Sequence, residues 1–480
     1  MDSLPDDCLQ HILGSVPAKE RLSSCCLVSR RWHTAAHSAP LLLPLSADVT
    51  TSVCARSLSA WLCRHSSKLA IASLSLGSIF EEKNSISELE LPPELPPLFA
   101  ALAGSAGALD RLSLRIELAA SLVTALQLPP SLRRLDAVLT GQGTSSLPSG
   151  WLGSLTRLEV LKLRGGSTAV ADAVAELPAL SHLAHLCAFG VSGRPLQWTP
   201  DMSAALAARA PSLRFLALRQ CSLPPGLSAL TGLQALEVSH AVPGEGGPPA
   251  EVLSAALPHL HSLTALVLKG DELLQQLPAE LAQLSHLERL LLDESSAACG
   301  PLRPGPWQSS LRWLGLSWPA LHSDEGLACL SGCTRLERLH LNGSFTAPLP
   351  ILAAEHGRPA FQTFLRWLRA ASRRGLRSLT LGYNDICQGD PAVAGPAEHE
   401  RAALLVQLRA AACPDTDVQA SRRYWFGFEN VMLRDVEEAN CVGPDGMPPD
   451  PFVHEWLNAE EDSVPGESSE AEADSGDGVG

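Results

Sequence analysis

The pattern L-x-x-L-x-L constrains this chain more than any other feature. Allowing Ala or Val at a few places, it begins at Ile71, Leu109, Leu132, Leu158, Leu183, Leu213, Leu233, Leu263, Leu287, Leu311, Leu336 and Leu376. Those starts lie 20 to 30 residues apart, except for intervals of 38 and 40 at the two ends of the run. A unit of that size cannot bury its own leucines, so it must stack on copies of itself. Within the unit, the period-two spacing suits a short strand that sends alternate residues to opposite faces. Several units carry a lead-in of period three, as in Leu277, Pro278, Leu281, Leu284, Leu287 and in Leu147, Pro148, Leu152, Leu155, Leu158. Period three suits a helix or a 3₁₀ turn.

Stacked strand-and-turn units imply an α/β fold: a leucine-rich-repeat solenoid of about twelve repeats over residues 71–386, with parallel strands on its concave face. Two units run to the full signature, Leu213, Leu216, Leu218, Cys221, Leu223 and Leu376, Leu379, Leu381, Asn384, Ile386. Aromatics are only 5% of the chain against 45% hydrophobic residues, as an aliphatic core requires. Ile86, Leu89 and Leu91 fit the template too close to their predecessor and read as a loop or insertion. Residues 41–70 are expected to be a linker and N-terminal cap, and 387–442 a C-terminal cap closed by a strand at Arg422-Arg423-Tyr424-Trp425-Phe426. Phe361, Phe364, Leu365 and Leu368, with Arg366, Arg369, Arg373 and Arg374 around them, predict a solvated helix over the core.

The net charge of −15 is confined to one end. Fourteen acids and no base follow Arg434, while residues 1–434 hold 37 acids and 36 bases. Residues 443–480, rich in Pro, Gly, Ser and acids, are expected to form a disordered acidic tail that competes with substrate. No run of 18 apolar residues exists, and Asp2, Asp6 and Asp7 stand where a secretory signal would be basic, so no membrane partner is expected. Thirteen cysteines without a C-x-x-C pair point to reduced thiols, hence the cytoplasm, the nucleus or both. Cys329, Cys333 and His340 lack a fourth ligand at zinc spacing. With no G-x-S-x-G, phosphate loop or H-E-x-x-H, no catalytic residue, metal or cofactor is expected, and no nucleic-acid partner.

Residues 1–40 carry a different pattern from the repeats. Leu4-Pro5-Asp6-Asp7 opens a helix, with Pro preset for the first turn and acids at its positive end. Leu9, Ile12, Leu13 and Val16 share one face, and Pro17 breaks it before Leu22 and the run Leu27-Val28-Ser29-Arg30-Arg31-Trp32. So short a unit needs a partner to cover its apolar face. The string LPDDCLQHILGSVPAKERLSSCCLVSRRWHTAA resembles an F-box, and an F-box followed by leucine-rich repeats resembles the F-box/leucine-rich-repeat proteins. The resemblance implies that Leu4, Pro5, Leu9, Ile12, Leu13, Leu22, Val28 and Trp32 bind a Skp-type adaptor, and through it a cullin. It implies a non-catalytic subunit of a ubiquitin ligase whose repeats hold the target protein. The competing reading is an interaction scaffold, signalling or cytoskeletal, whose N-terminal helices only cap the repeats.

If the leucines point inward, template positions 3, 5 and 7 face the concave surface. Nine bases stand there, Arg111, Arg115, Arg134, Lys162, Arg164, Arg219, Lys269, Arg289 and Arg338, against three acids, Asp136, Glu237 and Asp293. Position 2, off that face, holds four of each sign. The target is therefore expected to be an acidic or phosphorylated protein. Lys162, Arg164, Phe215, Arg219, Arg289, Trp313, Arg338 and His340 are its expected contacts, the aromatic pair as apolar anchors.

Overall fold

A computed structural model describes residues 95–104, 111–119, 130–140, 149–165, 167–190, 195–270, 277–293, 302–317, 329–342, 359–382 and 405–421. It also describes the short strands 45–48 and 71–75, and single positions at 29, 31–32, 35, 56, 58–60, 63, 128, 147 and 273. The chain divides into two compact units, Met1–Arg422 and Arg423–Gly480, and every described residue lies in the first.

The strands are β1 (Leu45–Asp48), β2 (Ile71–Ser75), β3 (Arg111–Ala119), β4 (Leu132–Thr140), β5 (Val160–Gly165), β6 (His185–Phe189) and β7 (Phe215–Arg219). They continue as β8 (Ala235–Ser239), β9 (Ala265–Lys269), β10 (Arg289–Asp293), β11 (Trp313–Ser317), β12 (Arg338–Asn342), β13 (Ser378–Gly382) and β14 (Asp417–Ser421). All fourteen form one sheet in strict sequence order, and the neighbours pair parallel. Parallel neighbours cannot be joined by a tight turn, so each connection must cross one side of the sheet. The connections hold helices α1 (Leu95–Gly104), α2 (Ser167–Ala175), α3 (Pro200–Ala207), α4 (Pro249–Ala256), α5 (Trp307–Ser310) and α6 (Pro359–Arg374).

Register explains the core. The template's second leucine stacks without interruption through Leu135, Leu161, Leu186, Leu216, Leu236, Leu266, Leu290, Leu314, Leu339 and Leu379. Every one is essentially inaccessible to solvent. Replacing one such leucine by alanine costs about 2–5 kcal/mol. The period-three lead-in is a chain of i to i+3 hydrogen bonds: Leu281 N–H donates to Pro278 O, Leu284 to Leu281 O, and Leu287 to Leu284 O. Leu155 and Leu158 repeat it on Leu152 and Leu155. Glu176 ties successive connections, its carboxylate accepting the backbone N–H groups of Gly150, Trp151 and Leu152 at 2.5–3.1 Å.

A strand stands at each of the twelve template units, but the sheet runs past the expected span of 71–386 at both ends. β1 lies in the stretch assigned to the N-terminal cap and β14 in that assigned to the C-terminal cap. A leucine template misses both because pairing is made by backbone: β14 offers only Val418 and Ala420 opposite Leu379 and Leu381. The first unit is also displaced. Ala72 and Leu74 align with Leu112 and Leu114, so Ile71 stands in register with Arg111, two residues off the template alignment. Between β3 and β4 a shift at Leu112/Ser113 moves the pairing again, setting Arg115 beside Asp136.

On α6, Phe364, Trp367 and Leu368 are buried, Leu365 is half-buried, and Arg366, Arg369, Arg373 and Arg374 are exposed. The Trp367 indole N–H donates to Leu330 O at 3.0 Å, fixing this helix to the preceding unit. The segment at Ile86, Asn384, the run from Arg422 to Phe426 and the acidic tail lie outside the described residues.

Candidate functional site

Alternation along each strand sends half of its residues away from the leucine core. On this second face the register builds three rows. The first runs Arg134, Val160, His185, Phe215, Ala235, Ala265, Arg289, Trp313, Arg338, Ser378 and Asp417. The middle row runs Asp136, Lys162, Cys187, Ala217, Glu237, Val267, Leu291, Gly315, His340, Thr380 and Gln419. The last runs Val138, Arg164, Phe189, Arg219, Ser239, Lys269 and Asp293.

Much of this face is buried. Lys162, Lys269, His340 and Phe215 are 3%, 6%, 3% and 2% exposed, and Glu237 is fully enclosed. Strands about 4.8 Å apart give every side chain a neighbour on both sides. Short residues at Cys187, Ala217, Ala235, Ala265 and Gly315 are buried among them. Burial holds the His340 imidazole near pKa 4, neutral at physiological pH.

The arginines are organised by aromatic rings. Arg164 and Arg219 flank Phe189 from the adjacent strands, their guanidinium carbons 5.0 and 5.1 Å from the ring centroid. Arg219 also donates from Nε to a Glu237 carboxylate oxygen at 2.5 Å. Five strands on, Arg289 and Arg338 flank Trp313 at 5.4 and 4.1 Å. Trp313 is 6% exposed, Arg289 half-buried and Arg338 exposed. Phe215 stacks on His185 with ring centroids 5.7 Å apart.

Of the eight expected contacts, the structure thus gathers Arg164 with Arg219, and Arg289 with Trp313 and Arg338. Lys162, Phe215 and His340 belong to the packed floor. Sequence counting overlooked Phe189 and His185, because charge alone distinguishes neither at those template positions. An aromatic residue at position 3 or 7 with arginine one unit away was the available signal. Position 2 behaves differently: Arg133 pairs with Glu159 at 2.7 Å and Arg312 with Glu337 at 2.6 Å, so its balanced charges cancel between neighbouring units.

Two buried thiols are held protonated. Burial pushes Cys333 up to about 12, with Cys329 beside it adding to the shift, and burial likewise pushes Cys221 up to about 12. Neither is a thiolate at neutral pH.

At the N-terminus, Leu4, Pro5, Leu9, Ile12, Leu13, Leu22 and Val28 lie outside the described residues, and Trp32 is half-buried in a helical stretch. The Trp32 N–H donates to the Ser29 hydroxyl at 3.2 Å. Serine three residues before a helical N–H is an N-cap, which gives the serine of the Leu27-Val28-Ser29 motif a physical role. Residues 1–43 match the F-box domain family. No curated protein matches the chain. An F-box domain suggests a substrate-recognition subunit of a Skp–cullin–F-box ligase. F-box domains bind Skp-type adaptors in cullin ligases, and F-box proteins are generally non-catalytic adaptors.

Proposed function

We propose that this F-box protein is the target-binding subunit of a cullin-based ubiquitin ligase, acting in the cytoplasm, the nucleus or both. Its F-box helices dock on a Skp-type adaptor through Leu4, Pro5, Leu9, Ile12, Leu13, Leu22, Val28 and Trp32. Its strand array, read as a leucine-rich-repeat solenoid, holds the target protein on the face opposite the leucine core. The observation that carries this reading is the F-box match at residues 1–43 on the same chain as a fourteen-strand sheet. That sheet's second face presents arginines held by aromatic rings.

On this reading the chain performs no bond chemistry. It raises the effective concentration of a target lysine near a charged conjugating enzyme, and tethering of this kind gains orders of magnitude without any new contact. Parallel strands suit that task because each unit is braced by its neighbours, so the face is preorganised before the target arrives. The test is capture of the full chain by purified Skp-type adaptor, with Leu4→Ala/Pro5→Ala as the control. Capture that the double substitution abolishes is expected; equal capture of both proteins, or of neither, refutes the ligase assignment and leaves the scaffold reading.

A further inference from the structure

We infer that the strand array withholds its own amines from ubiquitin transfer. Beyond Lys83 the chain offers a charged conjugating enzyme no reachable lysine, so conjugation there falls on the bound target. The inference rests on the reading of this chain as the target-binding subunit of a ligase, and it names how such a subunit escapes being its own substrate.

Three observations support it. First, of the 36 basic residues 31 are arginine and five are lysine: Lys19, Lys68, Lys83, Lys162 and Lys269. Only the last two lie in the chain after residue 83, and none follows Lys269.

Second, both of these lysines are buried on the second face of the sheet. Lys162 stands in register between Asp136 and Cys187, and Lys269 beside Ser239 at the end of β9. Neither is without a partner.

Third, the cations that the array does expose are arginines. Arg157, Arg303 and Arg335 are exposed in the connections, and Arg369, Arg373 and Arg374 on α6.

The chemistry of transfer separates the two residue types. An unprotonated lysine Nζ attacks the thioester carbonyl that joins ubiquitin to the conjugating enzyme. The C–N bond forms, the C–S bond breaks, and the departing cysteine sulfur takes up the proton that the amine loses. An arginine guanidinium stays protonated and delocalised at neutral pH, so it has no lone pair for this attack. A subunit tethered beside the thioester presents its own amines at the same raised effective concentration as those of the target it holds. Arginine keeps the positive charge at exposed positions without presenting a competing nucleophile. Burial removes the two remaining amines, because the thioester reaches an enclosed Nζ only when the surrounding structure opens.

The experiment uses the full-length chain with purified Skp-type adaptor, cullin, conjugating enzyme and ubiquitin, and maps the Gly-Gly remnants left on lysine after trypsin. Every remnant is expected at or before Lys83, and none at Lys162 or Lys269. Arg335→Lys and Arg373→Lys, which keep the charge at exposed positions, should each gain a remnant at the new lysine. Acetylation of the same proteins by a water-soluble N-hydroxysuccinimide ester reads burial without any ligase. Lys162 and Lys269 should react at least about tenfold more slowly than either introduced lysine. Remnants on Lys162 or Lys269 of the wild type overturn the inference, as does acetylation of these two at the rate of the introduced lysines. So does the absence of a remnant at both introduced lysines, since the array is then spared for a reason other than its lack of exposed amines. Adaptor capture on the same preparations separates the two claims: capture with any of these results ends the inference and leaves the ligase reading, whereas failure of capture ends the ligase reading itself.

Discussion

The two arginine–aromatic clusters on the second face have the same parts and different neighbours. Around Phe189, Arg219 meets the enclosed carboxylate of Glu237, so cation, ring and anion close on one another inside the protein. Around Trp313, Arg289 is half-buried and Arg338 reaches solvent, with Ala265 and Ser378 as the next residues of their row. The same residue types thus meet an enclosed carboxylate in one place and reach solvent in the other. What separates them is the neighbour one strand away: glutamate beside Arg219, and glycine or histidine in the middle row beside Trp313.

The contrast is tested most severely by removing one arginine from each cluster. Arg219→Met leaves Glu237 buried without its arginine and should cost about 3–5 kcal/mol, whereas Arg338→Met should cost below about 1 kcal/mol. Urea midpoints of the two variants measure this, and equal losses would erase the difference between the clusters.

His340, beside the Trp313 cluster, gives a pH signature. Its folded-state pKa near 4 lies below the unfolded value of about 6.5, so the unfolded chain takes up the proton first as pH falls. Its contribution is complete above pH 6.5 and is lost progressively towards pH 4, on the order of 3 kcal/mol. Stability of wild type relative to His340→Leu should change across that window and be flat above it.

The smallest expected effect lies off the face altogether. A double-mutant cycle on Arg312 and Glu337, a largely exposed pair, should give a coupling of about 0.2–1 kcal/mol that salt abolishes.

Much of this architecture can be read from the chain because its signal is local and repeated. Leu161, Leu186 and Leu216 recur with the same neighbours, and the unit they define must stack. The lead-in at Leu281, Leu284 and Leu287 announces its 3₁₀ turns by spacing alone. β1 and β14 escape because strands at the ends of a sheet need only backbone groups and modest side chains to pair. The candidate site is half legible: template positions name Arg289, Trp313 and Arg338, but their meeting depends on which residues face each other on neighbouring strands.

Short-range patterns in the chain therefore suffice for the parallel α/β array, its aliphatic core and the F-box at residues 1–43, since each is written in spacings that need no coordinates. Which charges on the second face are neutralised inside the protein depends on tertiary packing alone. Whether an arginine lies near Glu237 or near Gly315 is set by register between strands some 20 to 30 residues apart in sequence, and register is a property of the packed sheet rather than of any one repeat.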